Sequence, residues 1–396
     1  MKKKLNKILK SKNYILVIIL LFIFFIIYST FEKTEDASYL QSKHALSKPK
    51  RETVVYTKQY SDRVNTDSAK VALEKYSGTS FFERRSLLSN AFSSLLHRRQ
   101  VLSDGSLENG TWLWTPIKYI TPEYRDSIIT GAKKNGVNVI YLAIDSYLDI
   151  FVMEEGVEKQ KELENFNNTV KDFIRTANNS GIKVDAAAGW QNWAEEGHLY
   201  KPGAVLDYVI AFNRDNEEKF RGFQYDVEVY LLPQYKNDKE KVLTNFLDLI
   251  DKTVTKLNST DIEFTVVVPE FYDDSTVETP IFKYKGKNRY TIEHLLSVLE
   301  RRRGSKIIVM SYRNFAQGEN GSIEISEDEI FTANNFSTKV VIAQETGDFP
   351  PSYITFNRKS KSYFNSQLVL LKNAFENEPS YGGIATHYVN TFLELK

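Results

Sequence analysis

The 396-residue sequence contains no cysteine and only five histidines. The first absence excludes disulfides, thiolate zinc sites, a cysteine nucleophile and an anchor built on a lipid-modified cysteine. The second, with no His-x-x-x-His spacing anywhere, argues against a metal site built from histidines. Charge of one sign is also lacking: Lys plus Arg number 52 against 51 Asp plus Glu, for a formal charge of +1. A chain so balanced has no broad basic surface to neutralise phosphates, so no nucleic-acid partner is expected. Gly-x-Gly-x-x-Gly and Walker loops are missing as well, which leaves a nucleotide site without support. No metal or cofactor is expected, and any catalysis must use carboxylates, His, Tyr, Ser or Lys.

One long hydrophobic run is present, at the N-terminus. Six lysines between Lys2 and Lys12 precede the uncharged segment from Tyr14 to Tyr28, which Ser29, Thr30 and Phe31 extend to roughly the length of a membrane span. The expectation is an uncleaved signal anchor, residues 1–31, holding the rest of the chain outside the cytoplasm; the alternative is secretion after signal cleavage. Residues 32–104 read as a stem, charged and weakly periodic to Thr66 and richer in helix formers from Asp67 to Leu102.

From about residue 105 to 396 strand-like and helix-like segments alternate. Apolar strand candidates lie at Thr111 to Thr115, Val137 to Asp145, Ile182 to Ala188, Gly222 to Glu228, Ile262 to Pro269, Lys306 to Ser311, Lys339 to Glu345 and Gly382 to Tyr388. Helical stretches separate them, among them Glu123 to Lys134, Val157 to Asn178, Lys239 to Leu257, Ile292 to Arg302 and Lys361 to Phe375. Eight such repeats in this length predict an α/β fold, a closed (β/α)8 TIM barrel, with an open doubly wound sheet as the rival. Few residues follow the eighth strand, so a helix from Asp67 to Leu102 is expected to cover the missing outer position or to close the barrel bottom.

The fourth strand carries the chemistry. Alternation places Gln224, Asp226 and Glu228 on one face and Phe223, Tyr225, Val227 and Val229 on the other. Carboxylates on an inward face are costly unless paired or used, and Arg221 or Arg313 are the candidate structural partners. In barrel enzymes the working groups sit where strands end. Those positions hold Trp112 and Trp114, Asp145, Trp190 and Trp193, Asp226 and Glu228, Glu270, Tyr312 and Arg313, Glu345, and His387 with Tyr388. Two carboxyl groups facing across a mouth suit glycosidic bond cleavage, one as acid and the other as nucleophile or base. Glu228 and Glu345 form one such pair; Asp226, close to Glu228, would hold a proton or raise its neighbour's pKa. The four tryptophans would offer flat faces to sugar rings, and Asp145, Glu270, Tyr312, Arg313, His387 and Tyr388 would bind substrate.

The run Gly222 to Glu228 resembles the fourth-strand motif of family 18 glycoside hydrolases, the chitinase-like barrels, and Val309-Met310-Ser311-Tyr312 is similar to their Met-x-Tyr motif. That resemblance implies Glu228 as proton donor, Asp226 as its partner and Tyr312 as a group that positions a substrate acetamido. Gln224 stands where the family carries an aspartate, and Arg313 where an aspartate follows the tyrosine. The pair Glu228 and Glu345 also resembles retaining barrel hydrolases with glutamates on strands four and seven, although Val227 replaces the usual preceding Asn. The resemblances span about Gly110 to Phe392. They imply a glycoside hydrolase, and with the N-terminal anchor the expectation is a membrane-tethered enzyme whose partner is a cell-envelope or exopolysaccharide glycan. The alternative is an inactive barrel that binds such a glycan or an envelope protein.

Overall fold

The structure is a computed structural model that describes residues 107–273 and 279–396. The N-terminal apolar run, the stem and the helices expected within 67–102 lie outside the described residues. Among the described residues, no helix is long and apolar enough to cross a membrane.

Eight parallel strands form a closed barrel: β1 Glu108–Leu113, β2 Val139–Ala143, β3 Lys183–Ala188, β4 Gly222–Tyr225, β5 Glu263–Pro269, β6 Lys306–Met310, β7 Lys339–Glu345 and β8 Tyr381–His387. Closure is the pairing of β1 with both β2 and β8, which excludes the open sheet. The outer helices are α1 Pro122–Lys134, α2 Val157–Asn179, α3 Tyr200–Asp215, α4 Lys239–Leu257, α5 Thr291–Leu299, α6 Glu324–Ala333, α7 Lys361–Phe375 and α8 Val389–Glu394. A hairpin, Phe282–Tyr284 with Lys287–Arg289, precedes α5.

Strand alternation divides the side chains into two sets. Leu113, Ile140, Leu142, Val184, Phe223, Tyr225, Phe264, Val266, Ile307, Val309, Val340 and Ile342 pack outward against the helices in one buried apolar layer. On α4 the residues Leu243, Phe246, Leu247, Ile250, Val254 and Leu257 recur at helical spacing to cover that layer, and Asp238 caps the helix by accepting the Lys241 N–H. The inward set is polar at both ends of the barrel. At the strand starts, Arg221 reaches Asp185 at 2.5 Å and Glu108 at 3.0 Å, while Lys306 reaches Glu108 at 2.9 Å and Glu263 at 2.7 Å. Tyr141 donates its hydroxyl to Glu108 from inside the barrel. Arg221 therefore does not pair with the fourth-strand acids: it precedes β4 and lies at the opposite end of the barrel from them. Above this layer Trp112 and Tyr141 fill the middle with ring centroids 4.8 Å apart. Gly110 is required there, because a Cβ would lie 2.2 Å from the Tyr141 hydroxyl oxygen.

Two elements differ from expectation. An eighth outer helix does follow β8: α8 is only six residues long and packs on α1, with Leu393 filling the space beside Gly131. Helix α3 carries Pro202 and Gly203 in its first turn, which mute the helical signal although Pro is tolerated there.

Candidate active site at the barrel mouth

At the mouth the fourth strand ends earlier than its alternation suggests. β4 stops at Tyr225, and Asp226 makes one further ladder bond, its N–H to the Ala188 carbonyl at 3.0 Å. Asp226 and Glu228 are half-buried on the segment that leaves the strand, and the Tyr230 hydroxyl donates to Glu228 Oε1 at 2.6 Å. Tyr230 lies in the 3-10 turn Val229–Leu231 that follows Glu228, so the turn and not strand alternation sets it beside that carboxylate.

Across the mouth Glu345 is the last residue of β7 and is 3% exposed. Both of its oxygens have donors. Oε1 accepts the Gly347 N–H at 2.5 Å, and Oε2 lies 2.7 Å from His387 Nδ1. The other imidazole nitrogen, Nε2, is 2.8 Å from the Trp114 indole nitrogen. An indole N–H only donates, so Nε2 is the acceptor and the imidazole proton sits on Nδ1, directed at Glu345. The chain Trp114 to His387 to Glu345 thus has a single consistent proton arrangement, with Glu345 as its terminal carboxylate. The peptide between His387 and Tyr388 is cis.

Electrostatics tie these groups together. Burial disfavours the charged imidazolium of His387, and the negative charges of Glu345, Asp226 and Glu228 outweigh it, so its pKa lies above the usual histidine value. Burial, followed by the charges of Glu345, Asp226, Glu228 and Glu270, holds the Tyr312 hydroxyl well above the ordinary tyrosine range. Tyr312 is therefore a neutral donor at the mouth, with its ring 6.2 Å from His387. Tyr388 is half-buried beside His387, and burial with the Glu345 charge pushes its hydroxyl up to about 12. Asp226, Glu228, Glu345, Tyr312, His387 and Tyr388 form one neighbourhood.

Other expected site residues go elsewhere. Trp112 is 1% exposed, deep in the barrel, and gives its indole N–H to Gln224 at 2.6 Å, so it presents no face to a sugar. Trp193 is buried edge-on against Tyr225 in the outer layer. Trp114 is buried and turned toward His387, which makes it a support for the mouth instead of an open platform. Only Trp190 keeps a half-buried position past β3. Asp145 is buried and accepts the Gly189 N–H at 3.0 Å. A Cβ on Gly189 would sit 2.1 Å from the Asp226 carbonyl oxygen, so through Gly189 Asp145 braces the wall along which Asp226 runs. Arg313 is buried, donates to the Tyr312 carbonyl at 2.7 Å and lies over the Tyr353 ring. Glu270 is buried behind the rim, where its charge is felt by Tyr312, Tyr353 and Glu329. No group of three or more acidic or histidine side chains among the described residues is arranged to hold a metal ion.

No protein-family model matches the chain, and no curated protein matches it. Similar solved structures include a β-mannanase from the blue mussel Mytilus edulis at 10% identity, covering 73% of this chain and 90% of that one with a TM-score of 0.45. A family 18 chitinase from Cycas revoluta, in complex with (GlcNAc)3, aligns at 13% identity over 73% of this chain and 96% of its own, TM-score 0.45. A D-psicose 3-epimerase from Clostridium cellulolyticum H10 aligns at 11% identity over 73% and 90%, TM-score 0.42. The fold itself, a closed parallel (β/α)8 TIM barrel, rests on the strand pairing described above. Likenesses this distant extend to an isomerase equally well and say nothing about the bond a site breaks.

Proposed function

We propose that the protein is a glycoside hydrolase whose barrel is held outside the cytoplasm by residues 1–31 and which cleaves a cell-envelope or exopolysaccharide glycan. The observation that carries this reading is the gathering of three carboxylates, Asp226, Glu228 and Glu345, around the neutral donor Tyr312 and the oriented imidazole of His387. Glycosidic hydrolysis needs two carboxyl groups in different states, one holding a proton and one ionised. Glu345 suits the nucleophile or base role, because two N–H donors converge on it and fix its orientation. Glu228 suits the acid role: it stands on the half-buried rim, with Asp226 two residues before it. Tyr312, Tyr388 and Trp190 are placed to position a sugar.

The test is digestion of envelope and exopolysaccharide preparations by the full chain, with released reducing ends as the readout. Glu228→Gln is expected to lower the rate roughly 10²- to 10⁴-fold, the span of a lost general acid. Glu345→Gln is expected to lose a comparable factor. If that variant keeps most of its activity on 2-acetamido sugars, Asp226 is the working partner and the substrate's own acetamido is the nucleophile. Binding of glycan with no product from any preparation would establish the inactive-barrel reading. Fractionation and protease protection of the full chain check the anchor and its orientation.

A further inference from the structure

Outside the barrel, away from every residue assigned to the mouth, the hairpin, α4, α5 and the turn after α5 enclose a pocket of about 220 Å³. Its lining is strongly cationic: Lys285, Lys287, Arg289 and Arg301 against one acid, Asp251. Asp251 is already held by Lys285 at 2.5 Å and by Arg301. Four positive charges minus one leaves an excess of three on this lining.

The hairpin register explains why the cations converge. Phe282 pairs with Arg289 and Tyr284 with Lys287, so these four side chains share one face, while Lys283 and Asn288 share the other. Phe282 and Tyr284 are buried, which turns their face toward the protein body. Lys287 and Arg289 therefore point the same way, over the pocket. Arg289 is fixed there by donating to Ser297 Oγ at 2.9 Å. Among the described residues neither Lys287 nor Arg289 has a carboxylate partner. An inward charge can blunt a hairpin edge against wrong pairing, but that role does not require Arg301 and Lys285 to close on the same space. Two planar guanidinium forks and two ammonium groups around a concavity match a group that is negatively charged and accepts several hydrogen bonds.

We propose that this pocket is a second binding site, taking an acidic unit of an anionic polysaccharide, and that it holds the polymer on the enzyme while the mouth acts elsewhere on the chain. The volume admits one sugar ring with a pendant carboxylate or phosphate. That the ligand is a saccharide rests on the glycosidase reading; that it is an anion does not.

Binding is measured by calorimetry on the full chain carrying Glu228→Gln, so that turnover plays no part and failure of the hydrolase reading leaves the measurement intact. The probes are oligogalacturonate, neutral maltohexaose and inorganic phosphate. Oligogalacturonate is expected to bind, to weaken several-fold between low and physiological salt, and to lose at least about tenfold in affinity in Lys287→Glu combined with Arg289→Gln. Lys285→Gln, on the exposed turn, is a milder variant expected to weaken binding a few-fold and guards against a folding defect in the first. Maltohexaose binding as tightly as oligogalacturonate, or variants that bind unchanged, would overturn the anion site. Phosphate binding as tightly as the oligosaccharide would overturn the polysaccharide assignment.

Discussion

The two ends of this barrel hold carboxylates in opposite company. At the strand starts Glu108, Asp185 and Glu263 share the cations Arg221 and Lys306, and Glu108 takes a further hydrogen bond from Tyr141. At the strand ends a tyrosine hydroxyl donates to Glu228, and a backbone N–H and an imidazole converge on Glu345. A buried anion paired with buried cations is locked in one state, and its chemistry is spent on the fold. An anion held by neutral donors beside other anions can exchange a proton, the property a catalytic carboxyl needs. The same residue type thus serves structure at one end and reactivity at the other, and the difference lies in the partners.

The sharpest way to break this contrast is to remove one partner at each end. Lys306→Met leaves Glu108 buried with part of its countercharge gone, and is expected to cost about 3–5 kcal/mol in chemical denaturation. Adding Glu108→Gln should restore much of that loss, since no bare charge remains. Glu228→Gln at the mouth is expected to change stability by less than about 1 kcal/mol while lowering turnover by roughly 10²- to 10⁴-fold. Equal destabilisation at the two ends would end the distinction. The next effect is pH-dependent. Burial works against the Glu108 charge, but Lys306 and Arg221 prevail and its pKa falls from 4.5 to about 2. A depressed folded-state pKa contributes stability above the unfolded value and loses it as pH falls through the folded one. About 3 kcal/mol should therefore disappear between roughly pH 5 and pH 2, and Glu108→Gln should flatten that part of the curve. A Glu108→Gln profile as steep as the unmodified chain's would place the acid-labile group elsewhere.

The contrast was only half legible in the sequence. The alternation of apolar strands with amphipathic stretches carried the barrel, and the limits of β7, α4 and α7 follow directly from it. Candidate acids were visible because Asp226 and Glu228 share a face, a purely local property. What could not be read is long-range pairing. Trp114 and His387 are 273 residues apart, and nothing local says that an indole will fix the tautomer of that imidazole. The structural network at the strand starts escaped notice for the same reason: Glu108 and Lys306 are ordinary charged residues at strand beginnings until closure brings them to 2.9 Å. Trp112 and Trp193 are buried, the first by strand alternation into the barrel core and the second by the 3-10 turn Gln191–Ala194 that sets it on Tyr225, and a tryptophan in sequence carries no mark of its burial.

The smallest expected effect examines whether the mouth's proton arrangement is really imposed by Trp114. Trp114→Phe keeps most of the apolar ring and removes the single donor on His387 Nε2, a hydrogen bond worth about 1 kcal/mol of stability. In the unmodified chain an imidazolium would set its Nε2–H against the indole N–H, so Trp114 opposes protonation, alongside burial, while Glu345, Asp226 and Glu228 favour it. Removing one opponent should move the His387 pKa further upward. Its folded value already lies above the unfolded one, so its stabilising contribution is complete below the unfolded pKa and is lost as pH rises through the folded value. The variant should carry that contribution to higher pH. Nitrogen chemical shifts of the His387 ring read both points: an Nδ1–H tautomer in the unmodified chain, and a higher titration midpoint in Trp114→Phe. An Nε2–H tautomer would show that the indole does not direct the proton. Lys306→Met should leave the same titration in place, because it acts at the other end of the barrel. A shift in His387 there would mean that the two ends are electrostatically coupled through the interior and that their carboxylates differ less than their partners suggest.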